Sequence, residues 1–405
     1  MATHTGTLRK ATAAAAKVPA LPRLRVGVAG LGVAAGQILP AFGERSFFSL
    51  VAGADNRKAA RDAFTKTYGR EAVGSVEQLC RRDDIDTIWI STPNTLHAEH
   101  AVCAAKHGKH VICEKPMAVT LRECDRMIRA ADDNGVHLLQ GHSKIYQNPM
   151  KMIREIVKSG RLGRVIQIQT ANFNDWLQRP RLAPEIDTAR GGGIVYRQGP
   201  HMVDIVRYIG GGMVRSLRGI AGRADPHFDT EGHFSALLEF EDGAAATLAF
   251  NGYGYFDVTE LTWDIGESGF PQSGRRRFPN GPRIKGPADP AVKSAVAEAR
   301  KPRGHAEKRR QPFFGLTVVA CEFGVIRQSP DGLYVYTEAG REEVPCASSR
   351  GRDAELVELA DAIERGRPAF PDGRWGKATL EVCLGILASS ADGRLRRMRH
   401  QVPAP

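Results

Sequence analysis

The chain has 405 residues, 42% hydrophobic and 25% charged, a balance that belongs to folded globular proteins and excludes disorder as the main state. At about 100–200 residues per domain the length implies two or three domains, and no run approaches the ~18 unbroken apolar residues of a membrane-spanning helix. The net charge of +12 is concentrated: residues 275–310 hold twelve Lys and Arg against Asp289, Glu298 and Glu307. That stretch is rich in Gly and Pro and poor in aromatic residues, so it offers few platforms on which bases could stack. It is expected to be a solvated basic loop, ahead of a role in steering anions and well ahead of nucleic-acid binding. Seven cysteines without a C-x-x-C pair point to a reducing, cytoplasmic setting with no structural disulfide and no bound metal. Residues 1–23 are basic and Ala-rich without the Leu-rich centre of a secretory signal. They are expected to form a flexible arm, with a partner-wrapping arm as the alternative.

In chain order, the β-type run Leu24–Ala29 leads into the turn Gly30-Leu31-Gly32-Val33-Ala34-Ala35-Gly36 and a helical run Gln37–Phe42. A second strand, Ser49–Ala54, ends in Asp55 and precedes a helix over Lys58–Tyr68. Thr87–Ile90 and Leu96–His107 form the next strand and helix, separated by Ser91-Thr92-Pro93-Asn94. His110–Cys113, the loop Glu114-Lys115-Pro116, a helix over Leu121–Asn134 and a strand over Val136–Gln140 complete the series. Strands alternating with helices predict a doubly wound parallel sheet over residues 24–142.

The pattern then changes. After a helix over Asn148–Ser159, the strand-like runs Val165–Phe173, Val214–Gly222, His233–Phe240 and Ala244–Asn251 succeed one another, the last two joined by the turn Glu241-Asp242-Gly243. Residues 143–395 are therefore expected to form a second α/β domain with a large, mostly antiparallel open sheet, a basic insertion at 270–312, helices over Arg352–Arg365 and Gly376–Ala391, and a tail at 396–405.

Three constellations carry possible chemistry. Gly30, Gly32 and Ala35 sit between the first strand and first helix, where backbone N–H groups can approach a pyrophosphate, and Asp55 ends the next strand where a carboxylate accepts from an adenosine ribose. The competing explanation is a glycine turn that only packs. Asp55 favours NAD over NADP by repelling a 2′-phosphate, and Arg57 weakens the preference by offering that phosphate a partner. Lys115 follows a buried-type strand at the sheet's carboxyl edge, suited to donating to or deprotonating a substrate hydroxyl, although most lysines are simply solvated. The glycines of Gly191-Gly192-Gly193 suit a loop close to a ligand, and beyond them His201 and Asp204 share a helix face. His201 is either a proton acceptor or a helix-start histidine satisfied by the backbone.

In their order and spacing, Gly30-x-Gly32, Thr92-Pro93-Asn94 with His97, Gly108-Lys109-His110-Val111, Glu114-Lys115-Pro116 and Gly199-x-His201-x-x-Asp204 resemble the Gfo/Idh/MocA oxidoreductases over about residues 24–390. The resemblance implies a Rossmann-type NAD-binding domain, hydride transfer with NAD(P), a second domain that covers the substrate, and assembly as a homodimer or homotetramer. It makes Lys115 the catalytic lysine and His201 the candidate acid/base. It also assigns cofactor contact to Val33, Asn56, Arg57, Thr92, Pro93, Asn94, His97 and Glu114 beside Gly30, Gly32, Ala35, Asp55 and Lys115. Asn174 and Trp176, with Arg179 nearby, lie on the segment brought over the substrate and are expected to line its site together with Arg197 and Asp204.

One departure is informative. The family's sugar and polyol dehydrogenases usually place an aspartate four residues before the histidine, where this chain has Arg197. Arginine pairs with planar carboxylates through two parallel hydrogen bonds, which argues for an acidic substrate unless Arg197 is structural and points away. With the block Tyr196–His201, the chain is similar to the branch that oxidises phthalate 4,5-cis-dihydrodiol, an aromatic dicarboxylate diol, to 4,5-dihydroxyphthalate. The alternatives are a sugar-acid or inositol-type dehydrogenase and a catalytically silent nicotinamide-binding sensor.

Overall fold

A computed structural model of the chain describes residues 23–43, 48–271, 284–286, 309–348 and 352–405. The expected N-terminal arm up to residue 22 and most of the basic 275–310 stretch lie outside these residues.

Strands that are apolar on both faces are stable only where both faces are covered. β1 (Leu24–Ala29), β2 (Phe48–Ala54), β3 (Glu71–Val73), β4 (Thr87–Ile90), β5 (His110–Glu114) and β6 (Leu138–Gly141) form a parallel sheet of order β3-β2-β1-β4-β5-β6. Its helices are α1 (Val33–Ile38), α2 (Lys58–Tyr68), α3 (Val76–Cys80), α4 (His97–Lys106) and α5 (Leu121–Asp133). The expected helix Gln37–Phe42 begins earlier, at Val33 directly from the glycine turn, and tightens to a 3-10 turn over Leu39–Gly43. β3 and α3 are too short to announce themselves by periodicity, and a capping box between Ser75 and Gln78 starts α3. Strand order reverses between β1 and β4, so the crevice at their carboxyl ends is the natural ligand site of this sheet.

The second sheet contains β7 (Val165–Phe173), β8 (Val214–Gly222), β9 (His233–Phe240), β10 (Ala245–Asn251), β11 (Leu316–Cys321), β12 (Gly324–Gln328), β13 (Gly332–Thr337), β14 (Gly340–Pro345) and β15 (Arg396–Arg397). Their order is β14-β13-β12-β11-β7-β10-β9-β8-β15, antiparallel throughout except for the β7–β10 pair. The anticipated hairpin is present, with Gly243 at φ +88° and a Phe240 N–H to Ala244 O bond of 2.9 Å. One face is packed by α6 (Asn148–Lys158) and by α8 (Gly199–Ile209), which follows the short α7 (Gly193–Arg197), through Met150, Ile153, Val203, Val206 and Ile209 against Phe234, Phe240 and Phe250. Among the described residues no helix covers the other face at β8 and β9, where Ile220 and Leu237 are exposed.

The end of the chain returns to the first sheet. α9 (Asp353–Glu364) lays Leu356, Leu359 and Ala360 over Val26 and Val28 of β1, Ile112 of β5 and Leu139 of β6. α10 (Gly373–Asp392) bridges the two sheets, Leu380 belonging to the core of the first and Val382 and Ile386 to that of the second. Among the described residues no helix is long and apolar enough to cross a membrane.

Candidate active site

The glycine turn has the shape a dinucleotide requires. Gly30 has φ +88°, and a Cβ there would meet Thr92 N at 2.7 Å, so the chain tolerates only glycine. At Gly32 an added Cβ would meet nothing within 4 Å, which leaves the outer side of the turn open for a pyrophosphate, while Ala35 is buried beneath. Asp55 Oδ2 accepts from Leu31 N at 2.9 Å, and Oδ1 accepts from Arg57 N at 2.9 Å. The Arg57 guanidinium grips the same carboxylate through Nε and a terminal nitrogen, both at 2.9 Å. Burial alone would raise the Asp55 pKa, but the hydrogen bonds from Arg57 and Leu31 outweigh it and hold the group below its ordinary value. A fixed, ionised carboxylate thus stands beside the turn, the arrangement that fits ribose hydroxyls. Asn56 is exposed next to it, its carbonyl accepting from Arg61 at 3.0 Å.

Across the crevice, His97 ties two loops together, with Nδ1 2.9 Å from Pro116 O and Nε2 2.9 Å from Thr92 O. Thr92 Oγ1 lies 2.9 Å from His100 Nδ1, exposed Pro93 precedes the short turn Asn94–Leu96, and Asn94 Nδ2 donates to Gly191 O at 2.7 Å. The three glycines expected to approach a ligand instead pack against their own chain. A Cβ at Gly193 would lie 2.5 Å from Glu231 Oε1, and one at Gly192 would lie 2.6 Å from Asp187 N.

Glu114 is buried, accepts from Trp89 Nε1 at 3.2 Å and is ion-paired with Arg352, which also faces Glu355 at 3.2 Å. Next to it, and ahead of a cis bond to Pro116, Lys115 Nζ donates to the carbonyl of Arg197 at 2.9 Å. Burial, reinforced by the positive charge of Arg197, lowers the Lys115 pKa from 10.5 to about 7. His201 is buried and held neutral, its pKa driven well below 6.5 by desolvation and by the charge of Lys115. Its Nδ1 has no hydrogen-bond partner among the described residues, and its ring meets Phe314 edge-on at 4.9 Å. The site therefore pairs an amine that titrates near neutrality with an uncharged imidazole.

Asp204, one helical turn on, is enclosed, hydrogen-bonded by Trp375 Nε1, and raised to about 7 by burial. His142 lies 3.6 Å from it and is lowered to about 3 by burial, so the imidazole in this contact is uncharged. Asn174 is likewise enclosed, donating to Asn172 Oδ1 at 3.1 Å and accepting from Trp176 N at 3.0 Å. Trp176 is buried with the Arg181 guanidinium 4.3 Å over its ring. Asn174, Trp176 and Asp204 are thus enclosed by the protein's own groups, whereas Arg197 is partly exposed and pairs with Glu185 Oε1 at 3.0 Å.

Several residues without a motif join the site. Lys144 lies just past the carboxyl end of β6, pairs with Glu267 at 3.0 Å and sits 5.0 Å over the Phe314 ring that also meets His201. The carboxyl-edge rule could have found Lys144, but nothing local marks Arg181, Glu267, Phe314, Arg352 or Trp375. Among the described residues no group of three or more His, Cys, Asp or Glu is placed to hold a metal ion.

Residues 24–142 match the model of the "Oxidoreductase family, NAD-binding Rossmann fold", and residues 150–262 that of the "GFO/IDH/MocA C-terminal domain". The 1-carboxy-3-chloro-3,4-dihydroxycyclohexa-1,5-diene dehydrogenase of Comamonas testosteroni is 35% identical over 377 residues, 90% of this chain and 94% of the relative. A crystal structure of a candidate dehydrogenase from Bordetella bronchiseptica RB50 superposes with a TM-score of 0.81 at 36% identity, covering 93% of this chain and all of that one. An Agrobacterium radiobacter oxidoreductase, solved with NAD+, L-tartaric acid and magnesium, shares the fold at TM-score 0.70 and 17% identity, over 93% of this chain and 98% of its own. With its glycine turn, its Glu114-Lys115-Pro116 loop and these relatives, the chain belongs to the Gfo/Idh/MocA family and is an NAD(P)-dependent oxidoreductase.

Proposed function

We propose that the chain oxidises a carboxylated cyclohexadiene cis-diol to a catechol with NAD, phthalate 4,5-cis-dihydrodiol being the foremost candidate substrate. The observation that carries this is Arg197, whose carbonyl accepts from Lys115 and whose positive charge helps lower the Lys115 pKa, at a position where polyol enzymes of the family usually have an acid, in a chain with a relative, similar over nearly its whole length, that is named for a carboxylated dihydroxycyclohexadiene. A bound nicotinamide supplies the hydride acceptor. Gly30, Gly32, Ala35 and Asp55 would hold its dinucleotide, and the ionised Asp55 disfavours a 2′-phosphate.

Lys115, neutral in a large fraction of molecules at pH 7 and above, takes the proton of the carbinol hydroxyl. His201 offers an uncharged nitrogen to receive or relay that proton, and Arg197 exchanges Glu185 for the substrate carboxylate. The carbinol carbon loses hydride as its oxygen loses the proton, and the resulting hydroxy-dienone tautomerises to the aromatic catechol. Aromatisation drives the reaction, so a strong base is unnecessary. The proposal includes a cytoplasmic setting, in keeping with seven free thiols, and a homo-oligomer formed through the open sheet face that exposes Ile220 and Leu237.

The test offers NAD and NADP with phthalate 4,5-cis-dihydrodiol, a monocarboxylated cis-diol, myo-inositol and glucose, following reduced cofactor at 340 nm. NADH formation from the carboxylated diols supports the proposal. Turnover of polyols alone, or cofactor binding without turnover of any diol, overturns it.

A further inference from the structure

Charge is unevenly matched around Arg197. Arg179 has its own partner in Asp175 at 2.7 Å, and Lys144 has Glu267 at 3.0 Å. Arg181 and Arg197, in contrast, converge on one oxygen of Glu185, at 3.9 and 3.0 Å, while its other oxygen accepts from Leu182 N at 2.9 Å. Two guanidinium groups thus share a single carboxylate.

Arg181 is the less satisfied of the pair. Its side chain is only 18% exposed, yet among the described residues its one hydrogen bond is a long one, Nε to Trp176 O at 3.4 Å. Its plane is held 4.3 Å over the Trp176 ring, which fixes the fork without using its donors. Burial brings its pKa to about 10, so the group remains charged at neutral pH. A partly buried guanidinium with spare donors is costly unless an anion completes it.

The geometry points to Arg181 as a substrate-carboxylate residue that acts with Arg197, the two releasing Glu185 to clamp the carboxylate of an aromatic or cyclohexadiene acid above Trp176. This rests on the proposed carboxylated substrate and adds the group that recognises it.

The test measures binding of phthalate, benzoate and catechol to the NADH complex by titration calorimetry, which needs no turnover. Arg181→Met should weaken phthalate on the order of 10- to 100-fold, leave catechol and NADH within about twofold, and be partly rescued by Arg181→Lys. Glu185→Gln, which removes the internal competitor, should tighten phthalate. Should Arg181→Met bind phthalate like the parent, should catechol weaken equally, or should the parent bind neither carboxylate, the assignment is overturned. Phthalate binding that depends on Arg181 without oxidation of any carboxylated diol would sink the proposed reaction and keep the carboxylate site. Diol oxidation with an unchanged KM in Arg181→Met would do the reverse.

Discussion

Lys115 Nζ donates a 2.9 Å hydrogen bond to the backbone carbonyl of Arg197, a residue 82 positions away. The bond joins the carboxyl edge of the parallel sheet to the helix pair that leads into the second sheet. It also places the Arg197 charge where it helps lower the Lys115 pKa.

Replacing Lys115 by Ala should reduce kcat by on the order of 10²–10⁴-fold, with NADH affinity nearly unchanged by fluorescence titration. In the parent, protonated Lys115 cannot accept a proton, so log kcat/KM should rise with pH and level off above about 7. A flat profile from pH 6 to 9 would remove Lys115 from proton transfer.

Arg197→Met should raise KM for a carboxylated diol on the order of 10- to 100-fold. It also removes a positive neighbour that lowers Lys115, so the rise in kcat/KM should move to higher pH. A KM effect without the pH displacement would place the guanidinium away from Lys115.

Asp55→Ala should lower the NAD/NADP preference on the order of tenfold or more. It removes the acid that disfavours a 2′-phosphate and frees Arg57, which now spends two nitrogens on that acid. Steady-state kinetics with both cofactors checks this, and an unchanged ratio would assign the preference to other parts of the turn.

Arg352→Ala should destabilise the fold by about 3 kcal/mol, because Glu114 and Glu355 are both buried and share this cation. Chemical denaturation reads the loss. Since Glu114 precedes Lys115, kcat should fall as well, and a variant of full stability would show the pair to be inessential.

The parallel sheet was legible because its signals are local. Apolar strands, capped helices and a glycine turn report on residues only a few positions apart, so Lys58–Tyr68 and Thr87–Ile90 are bounded as their composition predicts. In the second sheet, Val165–Phe173 was equally plain, whereas β11–β14 follow a basic stretch without strong alternation and became strands by pairing outward from β7. The site divides in the same way. Motif and position name Gly30, Asp55, Lys115 and His201 only as candidates.

What the motifs do not contain is charge partnership. Arg197 shares Glu185 with Arg181, Lys144 draws Glu267 from 123 positions away, and Arg352 reaches Glu114 across 238. By itself the sequence determined most of the elements, the glycine turn and the candidates for cofactor contact and proton transfer, because backbone conformation and residue chemistry are local properties. Tertiary structure alone decided which groups are desolvated and which charges face one another. Those two quantities depend on distance in space, and they lower the Lys115 pKa toward neutrality and, among the described residues, leave Arg181 and Arg197 sharing Glu185.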